Sequence, residues 1–399
     1  MKTLVIKLGT SSLCDEKTKD YRLANMSQIV EMVVALRRKG YQVCMVSSGG
    51  IAAGLQRLGM PQRPAETAKL QAVAAIGQAR LIRLWDNLFS QFNQTTAQVL
   101  LTRTDIADHA RYRNACNSLK SLLEMGCVPI VNENDALSTY GIRFGDNDTL
   151  SAITAAMIGA DYLFLLTDVD CLYSANPRVD PSALPVRVVE NAAEYKTDSS
   201  MGAGSSVGTG GMMTKIIAAK LSTSAGITTF ICRSFWINSV FHILEDVEQG
   251  ISPSDSAYLY TKFTAQKRIK DRYFWLLHGL APSGSLTIDR GCYKALTRPH
   301  KANLLPSGIL DVKGAFHESD CVEIFINGHE LPIGRCLVNY SSNEIGLIKG
   351  HRSKDIPNIL GYSDSDYVAF RENMSFYPDK PAAEKLPSLG SLAILETGS

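Results

Sequence analysis

The chain has 399 residues, of which 45% are hydrophobic and 20% are charged, and its formal net charge is +2 at pH 7. This length predicts more than one domain, and the composition is that of an ordinary globular protein. The small net charge argues against a function that depends on overall attraction to nucleic acid or to a membrane surface. No apolar run reaches the roughly 18 residues that a membrane span requires.

Nine cysteines are scattered along the chain, and none of them forms a C-x-x-C pair. Their odd number and wide spacing predict reduced thiols in a cytoplasmic protein and argue against a zinc site. The N-terminal stretch MKTLVIKLG carries Lys7 inside its apolar run. This stretch therefore predicts a first β-strand rather than a signal peptide.

The first part of the chain alternates short apolar segments with helical patterns. The predicted strands, including one turn, are residues 3–9, 42–50, 96–102, 127–135 and 162–168. The predicted helices are about residues 22–38, 64–92, 110–125 and 148–159. Alternation at this spacing predicts an α/β fold, in which a mostly parallel sheet is covered by helices on both faces.

Each predicted strand ends in small or polar residues. The strand ends are KLGTS, SSGG, LTRTD, NENDA and LTDVD. One polar strand end marks only the entry into a loop, but ligands of open parallel sheets bind outside the carboxyl ends of the strands. Five such ends, two of them with glycine turns, predict a binding site at this edge of the sheet.

The segment SSMGAGSSVGTGG, residues 199–211, is rich in glycine and serine and leads directly into a helical pattern. A flexible linker has the same composition. However, a glycine-rich loop that opens a helix presents unpaired backbone N–H groups, which suit phosphate. We therefore favour phosphate binding, although the segment lacks the spacing of a P-loop.

Two lysines indicate the chemistry. Lys7 lies inside an apolar strand, and Lys215 lies at the head of the helix behind the glycine-rich loop. A buried lysine needs a partner, which here is a phosphate chain or one of two carboxylates at the same edge, Asp148 and Asp168. Two cations, glycine turns and carboxylates together predict phosphoryl transfer, which depends on positioning and charge neutralisation.

The stretch VNENDALSTYGIRFGDNDTL, residues 131–150, contains four carboxylates and three asparagines. It lacks the glycine and the closing glutamate of an EF-hand calcium loop. A pocket for an amino acid explains it better than a solvated turn. Asp135 would take the ammonium group, while Asn132, Asn147 and the Ser47–Ser48 turn would donate to carboxylates.

The second part of the chain has a different pattern. Residues 273–362 contain short β-like segments separated by Gly, Pro and Asn, which predicts a small, mostly β domain. The tail beyond Met374 is rich in Pro, Ser and Lys and is predicted to be disordered. The predicted parts are a kinase-like domain at 1–255, a linker at 256–272, the small domain at 273–362, and an extension and tail at 363–399.

Several motifs, taken in this order, closely resemble the glutamate 5-kinase family of the amino acid kinase superfamily. They are VIKLGTS, VSSGGIAAG, PIVNENDA, FGDNDTLSA, LLTDVDCLY and VGTGGMMTK, within residues 3–230. The C-terminal part is similar to the PUA domain of that family. It carries GSLTIDRGCYKAL, NLLPSGILDVKGAFHESDCVEI and VNYSSNEIGLIKGHRSKDI.

The resemblance implies an amino acid kinase fold and ATP-dependent phosphorylation of the side-chain carboxylate of L-glutamate, the first step of proline biosynthesis. It implies Mg²⁺ bound mainly to the ATP phosphates, with no dedicated protein cage. It also implies inhibition by proline and a homo-oligomer. The downstream glutamyl-phosphate reductase is a candidate partner, and RNA is a candidate ligand of the PUA-like domain.

The resemblance also assigns roles to individual residues. The catalytic residues would be Lys7, Lys215 and Asp148, with Asp148 holding the two lysines in place. The substrate-binding residues would be Ser48, Asn132, Asp135 and Asn147. The nucleotide-binding residues would be Lys7, Gly9, Thr10, Thr167, Asp168, Thr209, Gly210, Gly211, Met212, Met213, Thr214 and Lys215. One departure is that Phe235 and Trp236 stand where the family carries a glycine-containing turn.

Three other interpretations are weaker. Acetylglutamate kinase and aspartokinase belong to the same superfamily, but the PUA-like segment and the paired NEND and GDND clusters argue against them. An RNA-binding factor would show a basic footprint, whereas residues 275–362 contain nine Lys/Arg and eight Asp/Glu. A regulatory protein without activity is disfavoured by the presence of Lys7, Asp148 and Lys215.

Overall fold

The structure is a computed structural model of the chain. It describes residues 1–15, 18, 20–137, 147–177, 179–192, 211–234, 238–268, 271–298 and 302–377. The chain divides into two compact units, Met1–Asp271 and Arg272–Ser399. Each unit has a sheet and a hydrophobic core of its own.

The first unit is built on an eight-stranded sheet with the order β3-β4-β2-β1-β5-β9-β10-β8. The strands of this unit, including a separate β6–β7 pair, are β1 Thr3–Leu8, β2 Gln42–Ser47, β3 Thr96–Leu101, β4 Val128–Glu133, β5 Tyr162–Thr167, β6 Leu172–Tyr173, β7 Pro185–Val186, β8 Val188–Val189, β9 Thr228–Arg233 and β10 Thr261–Phe263. Six neighbouring strands of this sheet run parallel, namely β3, β4, β2, β1, β5 and β9. The next strand, β10, pairs antiparallel with β9. The predicted mostly parallel sheet is therefore confirmed.

The helices of the first unit connect these strands. They are α1 Thr10–Leu13, α2 Leu23–Arg38, α3 Gly50–Leu58, α4 Thr67–Ser90, α5 Arg103–Ala107, α6 His109–Glu124, α7 Asn147–Ile158, α8 Met212–Ser224 and α9 Ser239–Gln249. The four helices predicted before residue 160 are confirmed to within one turn. Sequence reasoning missed α3, because its glycines were attributed to a turn, and α5, which has only five residues.

Side chains of β1 alternate between the two faces of the sheet, as the period of two in a strand requires. Leu4, Ile6 and Leu8 belong to the core cluster that α2 and α4 complete. Lys7 points to the opposite face, where its Nζ reaches Asp148 on α7. Helices therefore cover both faces, and the apolar sequence of β1 follows from this double burial.

The central position of β1 determines where a ligand can bind. From β1 the chain builds β2, β3 and β4 on one side of the sheet and then adds β5 and β9 on the other side. The strand order thus reverses next to β1. In open α/β sheets, such a reversal opens a crevice at the carboxyl ends of the strands.

Two glycines allow α3 and α4 to pack with their backbones in contact. A Cβ added to Gly54 would lie 2.0 Å from the carbonyl oxygen of Val73, and a Cβ added to Gly77 would lie 1.8 Å from that of Gly50. No real Cβ tolerates such distances to backbone atoms. This contact brings α4 against the first turn of α3, at the carboxyl end of β2.

The second unit contains a five-stranded sheet with the order β12-β11-β13-β14-β15. Its strands are β11 Gly284–Ile288, β12 Ile309–Gly314, β13 Cys321–Ile326, β14 Gly334–Leu337 and β15 Met374–Phe376. Its α-helices are α10 Asp271–Phe274, α11 Arg290–Thr297, α12 Ser342–Ile348 and α13 Ile356–Leu360. A small, mostly β domain at the C-terminal end is confirmed.

Two predicted boundaries need correction. The predicted linker, residues 256–272, contains β10, which pairs with β9 and β8 in the sheet of the first unit. The predicted C-terminal extension, residues 363–399, contains β15, which pairs with β14. Both strands have only three residues, and so short a segment carries no recognisable periodicity.

The contact between α3 and α4 leads to a stability prediction. Replacing Gly77 with alanine should lower the free energy of unfolding by about 1–3 kcal/mol, because the added Cβ meets backbone atoms that cannot turn aside. Gly346→Ala is the matched control, since Gly346 lies in α12 with nothing within 4 Å of its added Cβ. We expect this control to be neutral or stabilising. Urea unfolding would measure both, and equal stability of the two variants would contradict the packing described.

Candidate active site

A buried carboxylate lies between two buried lysines at the carboxyl edge of the sheet. Asp148, in the first turn of α7, is 0% exposed. Its Oδ1 lies 2.6 Å from Lys7 Nζ, and its Oδ2 lies 3.2 Å from Lys215 Nζ. The Thr214 hydroxyl lies 2.7 Å from Asp148 Oδ2 and 2.8 Å from the carbonyl oxygen of Gly211. Residues from β1, α7 and α8 thus meet at one carboxylate.

The electrostatics of this cluster favour an anionic ligand. Burial would raise the pKa of Asp148, but the charges of Lys7 and Lys215 outweigh it and lower the pKa to about 2. Burial and the charge of Lys7 lower the pKa of Lys215 below the ordinary 10.5, although Asp148 acts in the opposite direction. Two cations share one anion in a region of low polarity, so a further negative charge would stabilise the cluster.

Backbone groups suited to phosphate lie close to the lysines. Gly9 follows β1 and precedes the short helix α1, which starts at Thr10. A Cβ at Gly9 would lie 3.6 Å from Lys7 Nζ. Gly211 is the N-cap of the 13-residue helix α8, whose first N–H groups have no intrahelical partner. Met212 and Met213 begin this helix.

Thr167 and Asp168 lie at the end of β5, which is the neighbour of β1 in the sheet. The Thr167 hydroxyl donates to Asp168 Oδ1 at 3.1 Å. Asp168 acts on Lys215 by Coulomb attraction. Two other predicted nucleotide-binding residues, Thr209 and Gly210, lie outside the described residues. The nucleotide roles of the whole set remain predictions.

A network of amide groups lies beside the lysine cluster. Asn147 Nδ2 donates to Ser48 Oγ at 2.8 Å, to Asn132 Oδ1 at 2.9 Å and, more weakly, to the carbonyl oxygen of Ser47 at 3.3 Å. Asn132 Nδ2 donates to Gln78 Oε1 at 2.7 Å. The structure therefore brings three of the predicted substrate-binding residues together. In this geometry both amide nitrogens donate to protein oxygens. Donation by Asn132 and Asn147 to substrate carboxylates stays a prediction.

Asp135, the fourth predicted substrate-binding residue, lies just beyond the end of β4. Its backbone N–H donates to the carbonyl oxygen of Glu133 at 3.0 Å, and its side chain is partly exposed. The structure thus places it on the same strand end as Asn132. Residues 138–146, the remainder of the acid-rich segment before α7, lie outside the described residues, as do Phe235 and Trp236.

Sequence reasoning missed two residues that support the network. Gln78 accepts the bond from Asn132, and the Trp85 indole nitrogen donates to Ser47 Oγ at 3.1 Å. Both residues belong to α4. A glutamine and a tryptophan in a helical pattern carry no signal of their own. Only the close approach of α4 to the edge of the sheet reveals their position.

In the parts of the chain that the structure describes, no group of three or more His, Cys, Asp or Glu residues is arranged to hold a metal ion. No helix among the described residues is long and apolar enough to cross a bilayer.

The chain is similar to known proteins along most of its length. The amino acid kinase family matches residues 2–233, and the PUA domain matches residues 284–360. The chain is 56% identical to a probable glutamate 5-kinase of Schizosaccharomyces pombe, over 93% of this chain and 92% of the relative. It is 44% identical to a glutamate 5-kinase of Cyanothece, over 93% of this chain and 98% of the relative. The chain therefore belongs to the amino acid kinase family and, within it, to the glutamate 5-kinases with a C-terminal PUA domain.

Among solved structures, a carbamate kinase from Giardia lamblia bound to AMP-PNP is similar to the chain. It has a TM-score of 0.49 and 18% sequence identity, and the match covers 66% of this chain and 99% of that structure.

The lysine cluster leads to a prediction about stability and pH. Asp148→Asn would leave two buried lysines without their shared counter-ion, so we expect the free energy of unfolding to fall by about 3–5 kcal/mol. The pKa of Asp148 is lowered from 3.8 to about 2 in the folded protein. The stabilisation by its charge is thus present above the ordinary pKa and is lost as the pH falls toward 2. Urea unfolding should show a difference from the wild type that shrinks over this range.

Asp108→Asn is the control for that measurement. Asp108 caps α6 by accepting from the Arg111 N–H at 2.8 Å, and asparagine caps a helix about equally well. We expect this variant to unfold like the wild type. An Asp148→Asn protein as stable as the wild type at pH 7 would show that the lysines do not depend on this carboxylate.

Proposed function

We propose that the protein is an ATP-dependent glutamate 5-kinase, which transfers the γ-phosphate of ATP to the side-chain carboxylate of L-glutamate. The product is γ-glutamyl 5-phosphate, the first intermediate of proline biosynthesis. Adjacent residues in the first turn of α7 serve both halves of the site, since Asp148 contacts the two lysines and Asn147 joins the amide network.

The lysine cluster fits the phosphate chain of ATP. Lys7 and Lys215 would contact phosphate oxygens, because their two charges exceed the single charge of Asp148. The backbone N–H groups near Gly9, Thr10 and Gly211 would add donors to the same phosphates. Thr167 and Asp168, at the end of β5, would lie toward the rest of the nucleotide.

Magnesium would enter with the nucleotide. The described residues hold no cluster of acidic side chains that could form a metal cage, and Mg²⁺ is commonly bound by one or two carboxylates together with substrate phosphates. When bound, the ion neutralises charge on the phosphate oxygens. Among the described carboxylates at this edge of the sheet, Asp168 would be the one that contacts the ion.

The amide network fits the amino acid. Gly49 has a φ of +107° and is the N-cap of the nine-residue helix α3, whose first N–H groups would receive the α-carboxylate. Asp135 and the side-chain oxygen of Asn147 would accept hydrogen bonds from the ammonium group. The side-chain carboxylate would then extend toward the lysine cluster, where phosphoryl transfer takes place.

The chain's own groups act through charge and position. A carboxylate attacks the phosphorus without losing a proton, so the reaction needs no general base at the acceptor. Asp148 stays ionised at neutral pH because its pKa is about 2, and its task is to hold the lysines. Lys7 and Lys215 would stabilise the charge that develops on the transferred phosphoryl group.

Further properties are proposed from the resemblance to the family. Proline carries an amine and a carboxylate like glutamate, so inhibition by proline would use the same pocket. We also propose a homo-oligomer in the cytoplasm and an interaction with glutamyl-phosphate reductase. RNA binding by the PUA domain stays a prediction of the resemblance.

Trapping of the acyl phosphate tests the proposed reaction. With ATP, Mg²⁺ and hydroxylamine, the protein should form a hydroxamate from L-glutamate and much less from L-aspartate or N-acetylglutamate. Lys7→Ala and Lys215→Ala should each lower kcat by about a hundredfold or more, whereas Lys69→Ala, at an exposed lysine, should keep full activity. No hydroxamate from any acid, by a folded protein that binds ATP, would overturn the proposal.

A further inference from the structure

The orientation of the Asn132 side chain is set by a backbone group. The N–H of Glu133 donates to Asn132 Oδ1 at 2.9 Å, and a backbone N–H can only donate. The oxygen of the Asn132 amide therefore faces Glu133, and its nitrogen faces the opposite way. Asn132 is 3% exposed, so its N–H groups need a partner within the protein.

Gln78 supplies that partner. Its Oε1 lies 2.7 Å from Asn132 Nδ2. The neighbouring Gly77 allows α4 to contact the backbone of Gly50, and a Cβ at Gly50 would lie 3.1 Å from Gln78 Oε1. The glycine contact between α3 and α4 thus holds the glutamine against the strand end that carries Asn132.

The orientation of Asn132 then determines that of Asn147. Because Asn132 Oδ1 is an acceptor, Asn147 must present its amide nitrogen, at 2.9 Å. The second N–H of this amide donates to Ser48 Oγ at 2.8 Å. Among the described residues, no hydrogen bond reaches Asn147 Oδ1. This oxygen is the part of the amide that remains for a ligand, and it can only accept.

We infer that Gln78 is a positioning residue that makes the amino acid pocket selective for a free ammonium group. The inference rests on the proposed function and deepens it. A chain of hydrogen bonds runs from Gln78 through Asn132 to Asn147 and turns a carbonyl oxygen toward the ligand. An ammonium group donates to that oxygen, whereas a ligand with a methylene at the same position leaves it without a donor.

Removal of the acceptor at position 78 should change this selectivity. In Gln78→Leu, the buried Asn132 nitrogen loses its hydrogen-bond partner. Rotation of the Asn132 side chain toward another acceptor would then lower the free energy of the protein. Asn147 then loses a fixed partner, and its amide can present nitrogen to the ligand instead of oxygen. Gln78→Glu keeps an acceptor oxygen at the same place and should keep the orientation of both asparagines.

The test compares two diacids that differ only in the ammonium group, L-glutamate and glutarate. Hydroxamate formation gives kcat/KM for each, and calorimetry gives the binding constants independently of turnover. In Gln78→Leu, the preference for glutamate over glutarate should fall by about tenfold or more, mainly through a higher KM for glutamate, with the KM for ATP little changed. Gln78→Glu should retain the wild-type preference.

Two further variants separate positioning from loss of structure. Gln91→Leu makes the same change at an exposed residue directly after the end of α4 and should behave like the wild type. If Gln78→Leu does not fold, Gln78→Met replaces it, since methionine also lacks the acceptor oxygen. A merely structural role would lower activity toward both diacids in parallel, with no change in preference.

The outcomes are distinguishable. A wild-type protein that neither binds nor phosphorylates glutamate would overturn the proposed function, and the inference with it. An active wild type whose preference is unchanged in the apolar variants would overturn the inference alone. The same holds if Gln78→Glu loses the preference as fully as Gln78→Leu.

Discussion

The ion cluster around Asp148 is the constraint on which the site depends. Two lysines and one carboxylate are buried at the edge of the sheet, and removing the carboxylate would leave two uncompensated cations, which a low-polarity environment makes costly. The strand β1 and the helices α7 and α8 must therefore meet at this point. The excess positive charge is offset by solvent or by an anion, and a phosphate chain is the anion that the surrounding N–H groups suit.

The first turn of α7 couples the two halves of the site. Asp148 faces the lysines, while the preceding residue, Asn147, faces Ser48 and Asn132. A displacement of α7 would thus move the phosphate-binding groups and the amino acid pocket together. Because the two reacting groups must approach within a few tenths of an ångström of a productive distance, a shared support for both partners reduces the error in their alignment.

Much of this arrangement could be predicted from the sequence. Lys7 in an apolar strand required a buried partner, and polar residues at five strand ends indicated the edge at which that partner lies. Gln78 and Trp85 could not be found in this way, because their role arises only where α4 passes the end of β2. The orientation of the Asn147 amide could not be found in this way either, since an amide's orientation depends on all of its neighbours and not on its residue type.

The most direct test of the central claim is the uptake of protons when an ATP analogue binds. The pKa of Lys215 lies below its ordinary value in the free protein, and a phosphate beside it would raise that pKa. Calorimetry in buffers of different ionisation enthalpy, at alkaline pH below the ordinary lysine pKa of 10.5, should show net proton uptake that disappears in Lys215→Ala. Binding without proton uptake, or the same uptake in Lys215→Ala, would contradict the account.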